Sequence, residues 1–277
     1  MPPIVEVIVL AVVQGIAEFL PISSSGHLVI IGSWLGKIDE EPTLEILLHA
    51  GTLGSIIVVF WKRILRLLTE DRRVIGLLVV GTIPAAFFGI LIKSQFKEWL
   101  RSPMLAGCML ILTAGILWWL GRLSRSAAPQ KDATEAKACS KEQPSYVVMS
   151  FLKVLVVGCF QAFAILPGIS RSGSTILGGR LMGLNRDDAL TLSFLLAIPA
   201  IGGASVLALK DLKDQIDAGE EMKYSLGQLG LGTCLAFLVG IFALRWLIRW
   251  NQSDRLPWFA WWCLPMGILV IAMQFAS

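Results

Sequence analysis

Long apolar runs alternate with short polar stretches along this chain of 277 residues. A helix needs about 20 consecutive, mostly apolar residues to cross the hydrocarbon core of a bilayer. Six runs come close to that length and predict transmembrane helices, at 46–61, 74–92, 104–120, 189–209, 225–244 and 257–275. The pattern therefore predicts an all-α polytopic membrane protein with six transmembrane helices.

Two further regions are apolar but contain a polar, glycine-bearing break. Residues 4–35 have the break at Pro21–Gly26, and residues 147–183 have it at Pro167–Gly173. The arms beside each break are short for a bilayer, and irregular backbone at membrane depth must line a cavity or be buried in protein. We predict two re-entrant helical hairpins, each entering and leaving by one face of the membrane. A single kinked transmembrane helix is the alternative for each region.

The two breaks are copies of one motif. A shift of 147 positions matches four residues of the first copy to identical residues of the second, namely Gln14 to Gln161, Ser23 to Ser170, Ser25 to Ser172 and Gly26 to Gly173. Three predicted spans follow each hairpin, and an odd number places the second copy on the opposite face. The chain is therefore predicted to be one membrane domain built as an inverted-topology repeat. Its predicted parts are residues 1–120, a mobile cytoplasmic linker at 121–146, and residues 147–277.

The charges of the loops predict the orientation of the chain. Loops 62–73, 121–146 and 245–256 carry 13 Lys and Arg residues, whereas the loops on the opposite side carry 7. Cytoplasmic loops of membrane proteins are enriched in Lys and Arg, so we expect both termini outside the cytoplasm.

Composition supports a membrane protein and excludes other classes. The chain is 55% hydrophobic and 16% charged, with a mean hydropathy of +0.71. The net charge of +4 lies in loops and indicates orientation, so no nucleic-acid partner is expected. No Lys or Arg precedes Lys37, so a secretory signal peptide is not expected. The five cysteines form no Cys-x-x-Cys pair, and we expect them to pack as small hydrophobic residues.

The second break has the composition of an anion-binding site. Glycines allow a close approach of the backbone to a ligand, and the N–H groups at a helix N-terminus bind phosphate together with hydroxyl groups. The candidate ligands lie between Gly168 and Thr175, including Ser170, Ser172 and Gly173. Arg171 at membrane depth requires an anion, which is either a protein carboxylate or a substrate phosphate.

The first break carries candidates for general acid–base chemistry and for a nucleophile. Gln14 and Glu18 are four residues apart on one helix face, and their oxygens could ligate a divalent cation. Glu18 could equally act as a base, Ser23, Ser24 and Ser25 are candidate nucleophiles, and His27 could carry a proton. A lone histidine in a membrane helix is often a packing residue, which is how we interpret His49.

These groups together indicate phosphoryl transfer on a lipid substrate. The chain has neither a dinucleotide-binding fingerprint nor a Walker sequence, so a nucleotide substrate is not expected. The rival class is a transporter or lipid flippase, because inverted repeats with broken helices are typical of transporters. Transport does not require a histidine beside a run of serines. A purely structural protein leaves the paired motifs unexplained.

The motifs resemble those of the undecaprenyl-pyrophosphate phosphatase family, the bacitracin-resistance proteins of bacterial inner membranes. The family pattern combines Glu/Gln-x-x-x-Glu, Pro-x-Ser-Ser-x-Gly-His and Pro-Gly-x-Ser-Arg-Ser-x-x-Thr. These motifs stand here as Gln14–Glu18, Pro21–His27 and Pro167–Thr175, and the resemblance covers essentially the whole chain.

The resemblance implies hydrolysis of undecaprenyl pyrophosphate to undecaprenyl phosphate and inorganic phosphate, which recycles the lipid carrier of peptidoglycan synthesis. It implies a divalent cation, Mg²⁺ or Ca²⁺, and a multi-pass protein of the inner membrane whose site faces the periplasm or cell exterior. The implied fold has two inverted repeats with two re-entrant hairpins. A monomer and a homodimer are both compatible with the sequence.

By position, the resemblance assigns catalytic roles to Glu18, Ser24, His27 and Arg171. It places the substrate-binding groups at Ser23, Ser25, Gly168, Ser170, Ser172, Gly173 and Thr175. It implies that Glu18 and Gln14 bind the cation. Many relatives have a second Glu where this chain has Gln14, and the loss of one charge weakens a two-carboxylate metal site. The nucleophile is Ser24, His27 or water, and the sequence leaves these alternatives open.

Overall fold

The computed structural model describes residues 3–34, 42–95, 100, 102–126, 144–217 and 223–276. The regular elements within these ranges are all helical. The helices are α1 (Pro3–Ala17), α2 (Ser24–Trp34), α3 (Pro42–Val59), α4 (Trp61–Thr69), α5 (Arg72–Gln95), α6 (Pro103–Ser126), α7 (Phe151–Phe163), α8 (Arg171–Leu181), α9 (Arg186–Asp217), α10 (Leu226–Gln252) and α11 (Ala260–Ala276), with a 3₁₀ turn at Leu256–Phe259 before α11.

Five of the six predicted spans are confirmed as long apolar helices. Stretches apolar enough to cross a membrane are Arg72–Ile92, Pro103–Leu123, Arg186–Val206, Leu226–Gln252 and Leu256–Phe275. The span predicted at 46–61 is different, because α3 ends at Val59 and the chain bends by 72° into α4. The described residues thus contain five such helices, or six if α3 and α4 are counted as one bent span.

The two interrupted regions form helical pairs of matching design. Helices α1 and α2 pack against each other, as do α7 and α8. The arms have 15, 11, 13 and 11 residues. At about 1.5 Å per residue, all four are shorter than the roughly 30 Å of a hydrocarbon core. Neither arm of a pair can therefore cross a bilayer alone, which is the geometry that a re-entrant hairpin requires.

Equivalent helices of the two halves run in opposite directions. Leu53 of α3 lies against Gly202 of α9, whereas Phe60 at the end of α3 stacks on Phe194. Residue numbers therefore rise along one helix as they fall along the other. Helices α6 and α11 cross in the same sense, with Gly107 against Gly267 and Gly121 against Pro257. The first and third spans of one half are thus antiparallel to the first and third spans of the other, as an inverted repeat demands.

The ends of the predicted linker at 121–146 are ordered. Helix α6 continues to Ser126. Tyr146 is buried, and the Ser145 amide donates a hydrogen bond to Asp188 Oδ2 (2.7 Å). Residues 127–143 of that prediction lie outside the described residues.

The breaks of the two hairpins touch each other in the interior. The Gly168 amide donates to Ser23 Oγ (3.1 Å), which joins the two copies of the motif directly. Gly168 has φ +96°, a conformation that L side chains rarely adopt, and Gly26 packs against its backbone. From α6, the Thr113 hydroxyl donates to Gly168 O (2.7 Å) and accepts from the Ser170 amide (3.1 Å). Every backbone polar group named here is satisfied within the protein, as the bilayer requires.

The contact between the two breaks predicts that Gly26→Ala destabilises the protein. A Cβ at position 26 would lie 2.7 Å from Gly168 Cα and 2.8 Å from Gly168 N, so the backbones must separate. Overpacking of this kind costs about 1–3 kcal/mol, and we expect a lower midpoint of thermal unfolding in detergent. Gly32→Ala is the matched control, because it lies on the same helix and a Cβ there meets nothing within 4 Å. Equal midpoints for both variants would contradict the close contact.

Candidate active site at the meeting of the two hairpins

The Glu18 carboxylate is the centre of a polar cluster that draws on both halves of the chain. Its Oε1 accepts a hydrogen bond from Arg171 Nη2 at 2.7 Å. Its Oε2 accepts from Ser24 Oγ (2.8 Å) and from Gln14 Nε2 (3.0 Å). His49 Nε2 lies 3.5 Å from the same oxygen. The structure therefore brings together four residues that the sequence singled out, Gln14, Glu18, Ser24 and Arg171.

The local fold explains why these side chains converge. Helix α1 ends at Ala17, so Glu18 lies between this helix and the first break, while Ser24 is the first residue of α2 and Arg171 the first residue of α8. Two helix N-termini thus point toward one carboxylate from the two hairpins. The positive end of a helix dipole favours a negative charge, which supports either this carboxylate or a bound phosphate.

One terminal nitrogen of the Arg171 guanidinium donates to the protein, and the other has no partner among the described residues. Of the two anions that the sequence left open for it, the structure shows a protein carboxylate, since Nη2 donates to Glu18. Nη1 is buried and has no hydrogen-bond partner among the described residues. Leaving a charged donor unpaired is expensive in a dry site. Arg171 therefore retains the capacity to donate to a second anion while it stays attached to Glu18.

The structure places His27 away from this cluster. Its Nδ1 lies 2.8 Å from Ser23 O, and Trp262 Nε1 donates to its Nε2 (3.0 Å). Because a carbonyl accepts and an indole N–H donates, His27 carries its proton on Nδ1 and is the neutral tautomer. The two rings are nearly parallel, with 12° between their planes and 6.2 Å between their centroids. Both ring nitrogens are thus occupied, and neither faces Ser24 or Glu18.

Two of the five predicted phosphate-binding hydroxyls cap the helices that begin at the hairpin tips. Ser23 Oγ and Ser170 Oγ accept from the amides of Gly26 (3.3 Å) and Gly173 (3.1 Å), each three residues farther along. This is the hydrogen bond of a helix N-cap, placed at equivalent positions of the repeat.

The remaining hydroxyls are engaged by neighbouring polar groups. Ser25 Oγ lies 3.4 Å from Ser23 Oγ, and Ser172 Oγ lies 3.2 Å from Ser170 Oγ. Thr175 Oγ1 donates to Arg171 O (2.8 Å) and lies 2.6 Å from Ser193 Oγ. The amides of Ser170, Gly173 and Ser174 are also committed within the protein. The geometry thus gives these groups a supporting role around Arg171.

Sequence reasoning missed two residues of the site. His49 was interpreted as a packing residue, yet α3 brings it to Glu18 and its Nδ1 lies 2.8 Å from Glu45 O. The available indication was that the chain has only 2 histidines. Thr113 bridges Gly168 and Ser170 from the middle of α6, and a single threonine in an apolar span carries no comparable indication.

The donor set offers one oxygen that suits a divalent cation. Gln14 is fully buried, its Nε2 donates to Glu18, and its Oε1 has no hydrogen-bond partner within the described residues. Hard cations bind carboxylate and amide oxygens. Over the residues that the structure covers, no group of three or more His, Cys, Asp and Glu side chains is placed to hold a metal. Both oxygens of Glu18 already accept hydrogen bonds, so Gln14 Oε1 is the unpaired oxygen of this pair within the described residues.

Comparison with known proteins shows the family to which the chain belongs. The family model described as bacitracin resistance protein BacA matches residues 7–269. The chain is 59% identical over 274 residues to an undecaprenyl-diphosphatase of Rhodopirellula baltica, with 99% of each chain covered. It is 37% identical to an undecaprenyl-diphosphatase of Halothermothrix orenii (98% of each chain) and 36% identical to one of Methanosphaera stadtmanae (99% of each). The family model and these relatives each match nearly the whole chain. The chain belongs to the bacitracin resistance protein family.

Proposed function

We propose that this protein is an integral membrane phosphatase that hydrolyses undecaprenyl diphosphate to undecaprenyl phosphate and inorganic phosphate. The observation that carries the proposal is the partly buried cluster in which Glu18 accepts hydrogen bonds from both Ser24 and Arg171. The Ser24 hydroxyl is hydrogen-bonded to a carboxylate that can act as its base, so it can serve as a nucleophile. The Arg171 guanidinium has an unpaired N–H group that can bind phosphate. Relatives that match the chain from end to end bear the name of this activity.

The proposed reaction starts with phosphate binding to Arg171. Nη1, which has no protein partner among the described residues, donates to the terminal phosphate while Nη2 stays on Glu18. Arginine suits this task because its planar fork presents several donors at fixed angles. The charge that builds on the transferring group is thereby stabilised by a donor already in place, which is the main source of catalysis in phosphoryl transfer.

Ser24 is the nucleophile that the geometry favours. Its Oγ–P bond forms as the bond from the terminal phosphorus to the bridging oxygen breaks, and its proton passes to Glu18 Oε2, 2.8 Å away. Undecaprenyl phosphate leaves, and water then cleaves the phosphoserine to release inorganic phosphate. His27 is a poorer nucleophile because both of its ring nitrogens are hydrogen-bonded elsewhere. Direct attack by water on the same phosphorus is the remaining alternative.

A divalent cation, Mg²⁺ or Ca²⁺, is the proposed cofactor. Gln14 and Glu18 would hold it, supported by the unpaired Gln14 Oε1 beside the carboxylate. When bound, it would offset negative charge on the substrate oxygens. The residues of this chain contribute the binding of phosphate, the alignment of Ser24 and the acceptance of its proton.

The proposed cellular role is recycling of the lipid carrier of peptidoglycan synthesis, which confers bacitracin resistance. The protein would lie in the inner membrane with its site facing the periplasm or cell exterior, as the family resemblance implies. The excess of Lys and Arg in the predicted cytoplasmic loops supports both termini lying outside the cytoplasm. A homodimer is compatible with this arrangement but is not required, because both halves of the site come from one chain.

The decisive experiment is an assay of phosphate release from a C55 diphosphate lipid by the purified protein in detergent. We expect turnover by the wild type and loss of turnover in Ser24→Ala, because that variant lacks the hydroxyl that is hydrogen-bonded to Glu18. Trapping the phosphoenzyme should label Ser24. Full turnover by Ser24→Ala would instead indicate attack by water. Absence of phosphate release, together with movement of the lipid between leaflets of a vesicle, would favour a flippase over a phosphatase.

Arg171→Lys should lower kcat/KM by roughly 10²-fold, a typical loss when one charged donor is removed from a developing oxyanion. A lysine keeps the charge but cannot hold Glu18 and a phosphate with two separate N–H groups. Arg180→Lys is the matched control on the same helix, since Arg180 Nη1 donates to the Leu184 carbonyl, away from Glu18. Near-normal phosphate release by Arg171→Lys would show that the guanidinium does not need to donate to Glu18 and to phosphate at the same time.

His49→Leu should lower kcat/KM by up to roughly tenfold, since a weak polar contact with a carboxylate contributes about 0.5–1.5 kcal/mol. The variant removes the nitrogen that lies 3.5 Å from Glu18 Oε2. His49→Gln can still present an amide N–H to that oxygen, so it should retain more activity than His49→Leu. The same phosphate-release assay measures both variants. Wild-type activity in His49→Leu would show that His49 only packs against its neighbours and has no role in the reaction.

A further inference from the structure

Helix α4, Trp61–Thr69, has sharply separated apolar and basic faces. At 100° per residue, the apolar side chains occupy one side of the helix and the polar ones occupy the other. The apolar set is Trp61, Ile64, Leu65, Leu67 and Leu68, and the polar set is Lys62, Arg63, Arg66 and Thr69. This division is independent of the catalytic site, which α4 does not contribute to.

The apolar face is larger than its packing on the protein requires. Leu67 is buried and holds the helix against the rest of the molecule. Trp61, Leu65 and Leu68 are 52%, 50% and 57% exposed, respectively. Three large exposed apolar side chains on one short helix would be unfavourable in water, so this face must be covered by something apolar.

The position of α4 in the chain identifies the bilayer surface as its surroundings. Helix α3 has 18 residues and so extends about 27 Å, nearly the thickness of a hydrocarbon core. The 72° bend after α3 then turns the chain away from the axis of that span. Continuing across the membrane would bury three cations from one nine-residue helix in hydrocarbon, at a high cost. Lying in the interface satisfies both faces of α4 at once.

The basic face is available to an external anion. Within the described parts of the chain, Lys62 and Arg63 form no ion pair, and Arg66 has only an exposed contact of 4.0 Å with Glu70. Trp61, Lys62, Arg63, Leu65 and Arg66 line an open cavity of about 540 Å³. Basic and apolar side chains therefore border the same depression, which matches the phosphate and the acyl chains of a lipid.

We propose that α4 is a binding surface for acidic phospholipids. Trp61, Leu65 and Leu68 insert among the acyl chains, and Lys62, Arg63 and Arg66 bind the anionic headgroups. An indole at the depth of the headgroups is well suited to such an anchor. Juxtamembrane Lys and Arg residues attract anionic lipids electrostatically, so the annulus around α4 is enriched in them.

Quenching of Trp61 fluorescence by brominated lipids tests the proposal. The full-length protein is reconstituted into phosphatidylcholine vesicles that contain an equal mole fraction of either brominated phosphatidylglycerol or brominated phosphatidylcholine. Subtracting the signal of Trp61→Phe isolates Trp61 from the other tryptophans. We expect quenching by both lipids and a several-fold stronger effect of brominated phosphatidylglycerol. Equal quenching by the two lipids would refute headgroup binding, and no quenching would show that α4 is covered by protein, including a second copy of the chain.

Charge variants separate the basic face from general membrane contact. The triple variant Lys62→Gln, Arg63→Gln, Arg66→Gln should show no preference for brominated phosphatidylglycerol. Quenching of its Trp61 by brominated phosphatidylcholine should persist. Arg245→Gln with Arg249→Gln, exposed positions on α10, is the matched control and should leave the preference at Trp61 unchanged. If the triple variant fails to fold, as judged by gel filtration, each single variant should weaken the preference. A preference that survives every one of these changes would overturn the proposal.

Discussion

The ion pair between Glu18 and Arg171 is the interaction on which the rest of the structure depends. Glu18 is buried and Arg171 is largely buried, with 17% of its side chain exposed, so each charge would be costly alone at membrane depth. The carboxylate comes from the first half of the chain and the guanidinium from the second, so the pair stabilises only a molecule in which the two hairpin tips meet. The direct contact of Gly26 with Gly168 and the bond from Gly168 to Ser23 provide the close approach that the pair requires.

The inverted repeat explains how one chain can direct two helix N-termini at one point. Hairpins that enter from opposite faces have tips that face each other, and each tip begins a helix with a serine cap. The copies then diverged at the first helical residue, which is Ser24 in one and Arg171 in the other. A symmetric framework thus carries an asymmetric site, with the hydroxyl on one side and the cation on the other. This asymmetry suits a reaction that needs a nucleophile and a phosphate ligand at once.

Much of the fold and part of the site could be predicted from the sequence. Hydropathy located five spans because burial in lipid demands long apolar helices, and the repeated break located both hairpins. Hydropathy did not show the bend after Val59, because Phe60 interrupts neither the apolar pattern nor the helical propensity of the segment. The assignment of the histidines also needed the structure. His27 is near Ser24 in sequence but turns to Trp262, whereas His49 reaches Glu18 from another helix.

The sequence by itself determined the membrane class, the repeat and the chemical groups of the site, because hydropathy and motif content are local properties of the chain. Tertiary structure decided which of those groups meet. Contacts such as those of His49 with Glu18, Thr113 with Gly168 and Trp262 with His27 join residues on different helices. Their formation depends on the crossing of helices and the depth of each turn, and no local pattern encodes that geometry. The free half of Arg171 is likewise a property of the assembled site, since it results from how many acceptors the packing brings within reach.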